Sequence, residues 1–489
     1  MAVVTSPVIG HDLDEILDRD LPWDRLFGST VLVTGASGML PSYAVYSLLA
    51  LNDRHGAGIT VHGLVRNEAK ARRLLADVLD RPDFHLVVHD VSQPLELPGP
   101  LDYVIHGASA ARPVLHGAEP VATIKANLLG SVNLLDLSVA KRSRGFALMS
   151  SAEVYGAQPT SAELIEEQSY SGFDILAPRA CYAEGKRAAE TICAAYQAQF
   201  GIECRVARFG HVYGPGMALD DSRVQADFAA NVVAGQDIVL TSDGSAVRTY
   251  TYVADAIAGL FYALLRGDQM AYNIADPGGL VSIRRLAELF TQVRPEKSLR
   301  LVFTNEPAAR SYSPAKRQAL SSRRLAALGW RPLVGLPAGL DRMVTELEAA
   351  TRRLPRSPVR PGIGDHPQRR PPLPPTRRRP RLASHHAICR RGSVLPRLSR
   401  YPPDAQVRCH HGPGPGHRRR SRHHRPALAH RWQPRTHPDQ APVARGPHDS
   451  RHQAVVRTFL RHDGLHKSAC RINGAPAWGG APSWGFLRS

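Results

Sequence analysis

TVLVTGASGMLPSY, residues 30–43, reads as a strand, a glycine-rich turn and the start of a helix. Gly35 permits a tight turn, and Gly38 lets the backbone approach a pyrophosphate at the N-terminus of the helix, where N–H groups and the helix dipole favour negative charge. Pro41 stands at the third small-residue position of such turns, but a proline in the first helical turn keeps a helical φ. We therefore predict a functional dinucleotide-binding turn in which Pro41 changes only the packing of helix against sheet.

Strand and helix patterns alternate along the first part of the chain, which predicts an α/β fold: a Rossmann-like, doubly wound parallel sheet. A helix at 253–265 and a strand at 272–274 are predicted to return to this sheet. Residues 24–209, with 247–275, would form a dinucleotide-binding domain, and residues 210–246 and 276–350 a smaller substrate domain. Strands are predicted at 30–34, 59–65, 84–90, 102–108, 145–151 and 202–209, and helices at 39–52, 68–79, 120–140 and 180–199.

The composition changes abruptly near residue 350. Residues 351–489 carry 29 Lys and Arg against 5 Asp and no Glu, whereas residues 1–350 carry 33 Lys and Arg against 38 Asp and Glu. The C-terminal part is rich in proline and lacks helical or strand periodicity, so we predict a disordered basic tail. Such a tail could neutralise nucleic-acid phosphates. Its single lysine and its Arg-, Pro- and His-rich composition favour a frameshifted, non-native segment instead, and nucleic acid is not predicted as a partner.

Other sequence signals are largely negative. There is no Cys-x-x-Cys pair, no signal-peptide pattern and no apolar run long enough to cross a bilayer, so we predict a cytoplasmic protein that does not bind membranes. The histidine clusters of the tail lack the spacing of metal ligands, and no metal site is predicted.

Two later segments carry candidate catalytic groups. CYAEGK, residues 181–186, places Tyr182 and Lys186 one helical turn apart, and SSAEVYG, residues 150–156, contains Ser151. A phenol is a poor base at neutral pH, but a nearby ammonium favours the phenolate, so Lys186 could activate Tyr182 while Ser151 hydrogen-bonds to the same oxygen. The alternative interpretation of the Tyr182–Lys186 pair is a solvated helix face.

With the glycine turn, these motifs resemble the extended short-chain dehydrogenase/reductase family, in the NAD-dependent epimerase/dehydratase group that acts on nucleotide sugars. The resemblance covers about residues 24–345 and implies that the Ser, Tyr and Lys just named are catalytic. It also matches Asn127 to a helix asparagine of the family. The cofactor-binding residues that it implies are Gly35, Ser37, Gly38, Met39, Arg66, Asp90, Val91, Ala108, Tyr182 and Lys186.

The second strand bears on the choice of cofactor. An acidic residue that would bind the ribose 2′-hydroxyl is expected after this strand, but Arg66 stands there. Arg66 could stack on adenine or accept a 2′-phosphate, so NAD is predicted with NADP as the alternative. Asp90, at the end of the third strand, matches the family residue that meets the adenine amino group.

RACYAEGKRAAE (179–190) and SDGSAVRTYTYVADAI (242–257) most resemble the UDP-glucuronate decarboxylases. The resemblance implies a homodimer and a UDP-sugar whose C4 hydroxyl is oxidised before the C6 carboxylate leaves as CO₂. A 4-epimerase and a 4,6-dehydratase are the alternatives, although Ala152 replaces the Asp of the dehydratase Asp-Glu pair. A catalytically silent dinucleotide-binding scaffold is the alternative of another class.

Substrate contacts are predicted from the same resemblance. Glu153 matches a decarboxylase glutamate and is predicted as a fourth catalytic residue, while Arg248 matches an arginine expected near the substrate carboxylate or phosphates. Arg223 is the candidate for a diphosphate contact. His211 replaces a decarboxylase asparagine and could hydrogen-bond to a sugar or phosphate or titrate near neutral pH, while Gly216 replaces an arginine. For these charged groups, the alternative is a solvated loop.

Overall fold

A computed structural model describes residues 6–109, 111, 113–158, 164–304 and 316–353. The chain divides into two compact units, residues 1–371 and 372–489, and every described residue belongs to the first. The basic tail beyond Arg353 lies outside the described residues. Its disorder and its non-native origin therefore stay predictions.

The described residues form thirteen strands and eleven α-helices. The strands are Thr30–Thr34 (β1), Thr60–Val65 (β2), Phe84–Val88 (β3), Tyr103–His106 (β4), Gly145–Ser151 (β5), Cys204–Phe209 (β6), His211–Tyr213 (β7), Ile238–Leu240 (β8), Val247–Tyr252 (β9), Ala271–Ile274 (β10), Leu280–Ser282 (β11), Leu301–Phe303 (β12) and Arg317–Gln318 (β13). The helices are Pro7–Leu17 (α1), Met39–His55 (α2), Glu68–Leu74 (α3), Pro113–Ala118 (α4), Pro120–Lys141 (α5), Ala180–Phe200 (α6), Val224–Ala234 (α7), Val253–Arg266 (α8), Ile283–Val293 (α9), Arg323–Ala327 (α10) and Leu336–Arg353 (α11).

Seven parallel strands form the main sheet in the order β10-β6-β5-β4-β1-β2-β3. This arrangement confirms the predicted doubly wound α/β fold. The strands at its centre are largely buried and mostly apolar because helices cover both faces; all five residues of β1 are buried. The chain runs outward from β1 to β3 on one side and from β4 to β10 on the other. The carboxyl ends of β1 and β4 therefore flank the crevice in which such sheets bind ligands.

Strand β9 is the central strand of a smaller sheet and pairs with β7, β11 and β13. Strands β8 and β12 form a separate pair. The predicted return of residues 247–275 to the main sheet holds for α8, which is buried from Val253 to Leu265, and for β10. It does not hold for β9, which belongs to the smaller sheet. Local patterning cannot distinguish these outcomes, since the pairing of a strand depends on residues far away in the chain.

Helix α1 lies before the predicted start of the first domain at residue 24. Ser6 caps it by accepting a hydrogen bond from the backbone N–H of Ile9, and its apolar residues join the core that α2 and α8 also line. Its buried Asp12 carboxylate accepts hydrogen bonds from Tyr43 of α2 at 2.8 Å and from Tyr252 of β9 at 2.8 Å. Arg342 of α11 donates to the same carboxylate at 2.9 Å.

Asp12 makes the stability of the fold depend on pH. Burial raises the pKa of Asp12 from 3.8 to about 6, although the hydrogen bonds from Tyr43 and Tyr252 and the charge of Arg342 oppose this shift. Because the folded-state pKa is raised, the stabilisation is complete below the unfolded-state pKa and is lost as the pH rises through the folded-state value, by about 3 kcal/mol in all. Urea unfolding across this pH range should show a shallower decline for Asp12→Asn than for wild type. Asp14→Asn, on the exposed side of α1, should behave as wild type, and an unchanged slope in Asp12→Asn would contradict the assignment.

Candidate active site

The glycine turn lies at the crevice between β1 and β4. Gly35 has a φ of +71°, and a Cβ added there would lie 2.9 Å from the Cα of Ala108. The N–H groups of Gly35 and Ala36 donate to the carbonyl of Leu64 at 2.8 and 3.1 Å. Gly38 is the N-cap of α2 and offers no capping side chain, so the first N–H groups of the helix can face a phosphate. The turn and the start of α2 thus form a cradle that fits a dinucleotide. Any side chain at residue 35 would fill it.

Pro41 is buried in the first turn of α2 and faces Gly107, just beyond β4. A Cβ added to Gly107 would lie 2.6 Å from Cγ of Pro41. The proline ring therefore fits because Gly107, opposite it, has no side chain. This contact agrees with the expectation that Pro41 concerns the packing of α2 on the sheet.

Replacing Pro41 by glycine should leave NAD binding nearly unchanged, with a dissociation constant within about threefold of wild type, because the turn glycines are untouched. The variant should lose about 1–2 kcal/mol of stability, since glycine adds freedom to the unfolded chain and leaves a space beside Gly107. NAD titration and chemical unfolding measure the two effects. Loss of NAD binding would show that the ring itself supports the turn.

The residues predicted at the adenosine end lie together at the carboxyl ends of β2 and β3. The carboxylate of Asp90 accepts a hydrogen bond from the N–H of Ser92 at 2.9 Å. This hydrogen bond is the main cause that lowers the pKa of Asp90, and the charge of Arg66 contributes. Arg66 is exposed and Val91 is buried, while Ser37, Met39 and Ala108 line the turn with partly exposed side chains.

Strand β5 and helix α6 bring the candidate catalytic residues together. Ser151 ends β5, and the buried Tyr182 lies in the first turn of α6. Burial is the main cause that raises the pKa of Tyr182; a hydrogen bond with Ser151 and the charge of Arg223 lower it, and Glu153 raises it. The Ser151 hydroxyl accepts a hydrogen bond from the N–H of Glu153 at 3.2 Å, and its predicted hydrogen bond to the substrate oxygen stays a prediction.

Lys186 lies one helical turn from Tyr182 on α6, as predicted. Its ammonium group is buried and donates to the carbonyl of Met149 at 2.7 Å. Burial lowers the pKa of Lys186 to about 8, partly offset by Glu190. Arg223 is a cation whose charge lowers the pKa of Tyr182. The action of Lys186 on the phenol stays a prediction.

Asn127 lies where α5 packs against α6. A Cβ added to Gly185 would lie 3.1 Å from Cβ of Asn127, so glycine permits the close approach of the two helices. The amide of Asn127 donates to the carbonyl of Thr123 at 2.9 Å, and its buried Oδ1 has no partner among the described residues. This oxygen is available to a ligand or a water molecule.

The predicted substrate residues meet on the smaller sheet. His211 of β7 pairs with Tyr250 of β9, with ring centroids 5.6 Å apart, and Arg248 shares the Tyr250 face of β9. Burial lowers the pKa of Arg248, and the charges of Tyr250 and Glu153 oppose this effect. Burial is the main cause that lowers the pKa of His211 to about 3, and the positive charges of Arg248 and Arg223 contribute. His211 is therefore neutral near pH 7, and the suggestion that it titrates there is wrong.

Sequence reasoning missed several polar groups at this site. The buried atoms Nδ1 of His211, Oη of Tyr250 and Oε1 of Gln225 have no partner within the described part of the chain. Buried polar atoms are normally hydrogen-bonded, so these three are candidates to bind a hydroxyl-rich ligand. From the sequence, Tyr250 could have been predicted at this site only because it lies two residues after Arg248 in a strand, so that both side chains are on the same face. Gln225 had no recognisable signal.

Among the described residues, no group of three or more His, Cys, Asp or Glu side chains could hold a metal ion. None of the described helices combines the length and the apolar character needed to cross a membrane.

Comparison with known proteins agrees with this geometry. The profile of the NAD dependent epimerase/dehydratase family matches residues 31–275. UDP-glucuronic acid decarboxylase 6 of Arabidopsis thaliana is 32% identical over 317 residues, 64% of this chain and 87% of the plant protein. UDP-glucuronic acid decarboxylase 1 of the same plant is 34% identical over 318 residues, covering 65% and 69%. The crystal structure of Thermus thermophilus UDP-glucose 4-epimerase with NAD superposes with a TM-score of 0.55 at 26% identity, covering 66% of this chain and 99% of the epimerase.

Proposed function

Because the chain belongs to the NAD dependent epimerase/dehydratase family, we propose that it oxidises C4 of a nucleotide sugar and decarboxylates a UDP-glucuronate-like substrate. NAD is its cofactor, as predicted. The proposal depends chiefly on Glu153, whose charge raises the pKa of both the buried Arg248 and the buried Tyr182 and is therefore near both. The similarity to two plant decarboxylases supports the same substrate class.

The turn around Gly35 and Gly38 would hold the pyrophosphate, and Asp90 and Arg66 the adenosine. Bound NAD supplies a hydride acceptor for C4 and can later return the hydride. The chain's own task is to move the proton of the C4 hydroxyl, and Tyr182 is placed for it, with Ser151 hydrogen-bonded to the phenol and Arg223 favouring the phenolate.

Arg248 suits the second half of the reaction. Its buried guanidinium can bind the C6 carboxylate through paired N–H groups. Once C4 is a ketone, the C5–C6 bond can break, CO₂ leaves, and the electron pair passes to the ketone oxygen as an enolate. A proton must then return to C5, and Glu153, beside Arg248, is our candidate for handling it.

A 4-epimerase is the second candidate. The 26% identical Thermus thermophilus epimerase supports it, and C4 oxidation would use the same Ser151 and Tyr182. The 4,6-dehydratase is disfavoured because Ala152 cannot protonate a departing hydroxyl. The silent scaffold is disfavoured because the chain retains Ser151, Tyr182 and Lys186.

Product mass separates these candidates. The full-length protein, with NAD, is incubated with UDP-glucuronate, UDP-glucose, dTDP-glucose or GDP-mannose, and the products are analysed by mass spectrometry and NMR. Loss of CO₂ from UDP-glucuronate supports the decarboxylase. Loss of water indicates a dehydratase, an inverted C4 at unchanged mass indicates an epimerase, and no conversion with NAD still bound favours the scaffold.

We also propose that the enzyme is a cytoplasmic homodimer, and that its two domains divide at the boundaries predicted above, with α1 added to the first and β9 assigned to the second. Helices α5 and α6 pack together and expose apolar side chains at Val121, Leu129 and Phe200, which are 63%, 43% and 50% exposed. A second copy could cover them in a four-helix interface. Light scattering after size exclusion measures the mass in solution.

A further inference from the structure

Helix α4 places a histidine directly on the candidate base. The imidazole of His116 is buried and stacks on the ring of Tyr182, with centroids 4.4 Å apart and planes 10° apart. The thiol of Cys181 donates to the backbone carbonyl of His116 at 3.5 Å. Side chain and backbone of one residue thus contact two successive residues at the start of α6.

The segment that carries His116 also contacts the loop that carries Arg223. The Arg223 guanidinium donates to the carbonyl of Ala111 at 2.8 Å, and the N–H of Val114 donates to the hydroxyl of Ser222 at 3.4 Å. Ala111 and residues 113–118 therefore contact both the ring of Tyr182 and the loop that carries the cation favouring its phenolate. The segment thus contacts the start of α6 through His116 and the loop before α7 through Ala111 and Val114.

Orientation of the phenol matters for proton transfer. The oxygen must lie within hydrogen-bond reach of the C4 hydroxyl, and a displacement of about 1 Å can cost on the order of 100-fold in rate. Rotation of the Tyr182 side chain about χ1 would move this oxygen. A parallel ring packed over one face of the phenol restricts that rotation.

We propose that His116 is a positioning residue that holds the Tyr182 ring in its reactive orientation by stacking. The proposal rests on the proposed function, since orientation affects turnover only if Tyr182 is the base. The stacking itself requires a flat ring at residue 116. It does not require the imidazole nitrogens.

Two variants of the full-length protein separate these requirements. With whichever nucleotide sugar the wild type converts, His116→Ala should lower kcat about tenfold while KM changes by less than about threefold. His116→Phe keeps a flat ring and should restore kcat to within about twofold of wild type. Equal loss in both variants would overturn stacking as the cause. A lowered melting temperature of His116→Ala with unchanged kcat would reduce His116 to a structural residue.

A second measurement needs no substrate. Protein with 13Cζ-labelled tyrosine is titrated by NMR, and the Tyr182 signal is identified by its absence from Tyr182→Phe. Without the stacked ring, water reaches the phenol, so the Tyr182 signal of His116→Ala should titrate at lower pH than in wild type and His116→Phe, with Arg223 and Glu153 unchanged. Identical titration in all three proteins would overturn the proposal. If the wild type converts no nucleotide sugar, the proposed function fails, while this measurement still decides whether His116 shapes the environment of Tyr182.

Discussion

Replacing Tyr182 by phenylalanine should abolish turnover, lowering kcat by about 1,000-fold or more, while NAD still binds. The change removes only the hydroxyl that we assign to accept the C4 proton. The ring and its contact with His116 stay. Product formation and NAD titration on the same preparation measure the two outcomes.

Helix α6 supplies a matched control for this variant. Tyr196→Phe makes the same change farther along the helix, where the hydroxyl donates to Asp136 at 2.6 Å. We expect wild-type turnover from it. Turnover by Tyr182→Phe at the level of Tyr196→Phe would refute the role of Tyr182 as the base.

Replacing Gly35 by alanine should weaken NAD binding by at least about tenfold. A side chain at a φ of +71° costs about 1–2 kcal/mol, and the added Cβ would lie 2.9 Å from the Cα of Ala108, which is backbone and cannot rotate away. Relief of this contact must move the turn away from β4 and out of the pyrophosphate cradle. Isothermal titration with NAD measures the loss.

Gly58→Ala separates strain from steric contact. Gly58 has a similar φ of +65°, but a Cβ added there meets nothing within 4 Å. This variant should lose about 1 kcal/mol of stability and bind NAD as wild type does. If Gly35→Ala binds NAD equally well, the turn does not hold the pyrophosphate as we infer.

The main sheet could be predicted because its information is local. Buried strands such as β1 are continuous apolar runs, and the glycines that follow β1 meet a requirement of the backbone itself. The termini of α6 were predicted to within one residue, since Gly201 takes the left-handed conformation that ends the helix. Pro41 did not prevent the prediction of α2, because the N–H groups of a first helical turn have no intrahelical partner and proline loses no hydrogen bond there.

The site was only partly predictable. The resemblance of their motifs to the family implied that Ser151, Tyr182 and Glu153 lie near one another. The direction of Lys186 toward the Met149 carbonyl, and the action of Arg223 on Tyr182, depend on elements that approach only in the folded chain. His116 is a lone histidine in the sequence, and nothing nearby in the chain marks it as the stacking partner of Tyr182.

By itself, the sequence determined the parallel sheet, the glycine turn with its dinucleotide and the chemical types of the catalytic groups, because periodicity, backbone conformation and side-chain chemistry are properties of short segments. Only the tertiary structure decided which sheet β9 joins, that His211 is neutral, and which cation and which ring act on Tyr182. These outcomes depend on burial and on distances between residues far apart in the chain, and a short segment carries neither.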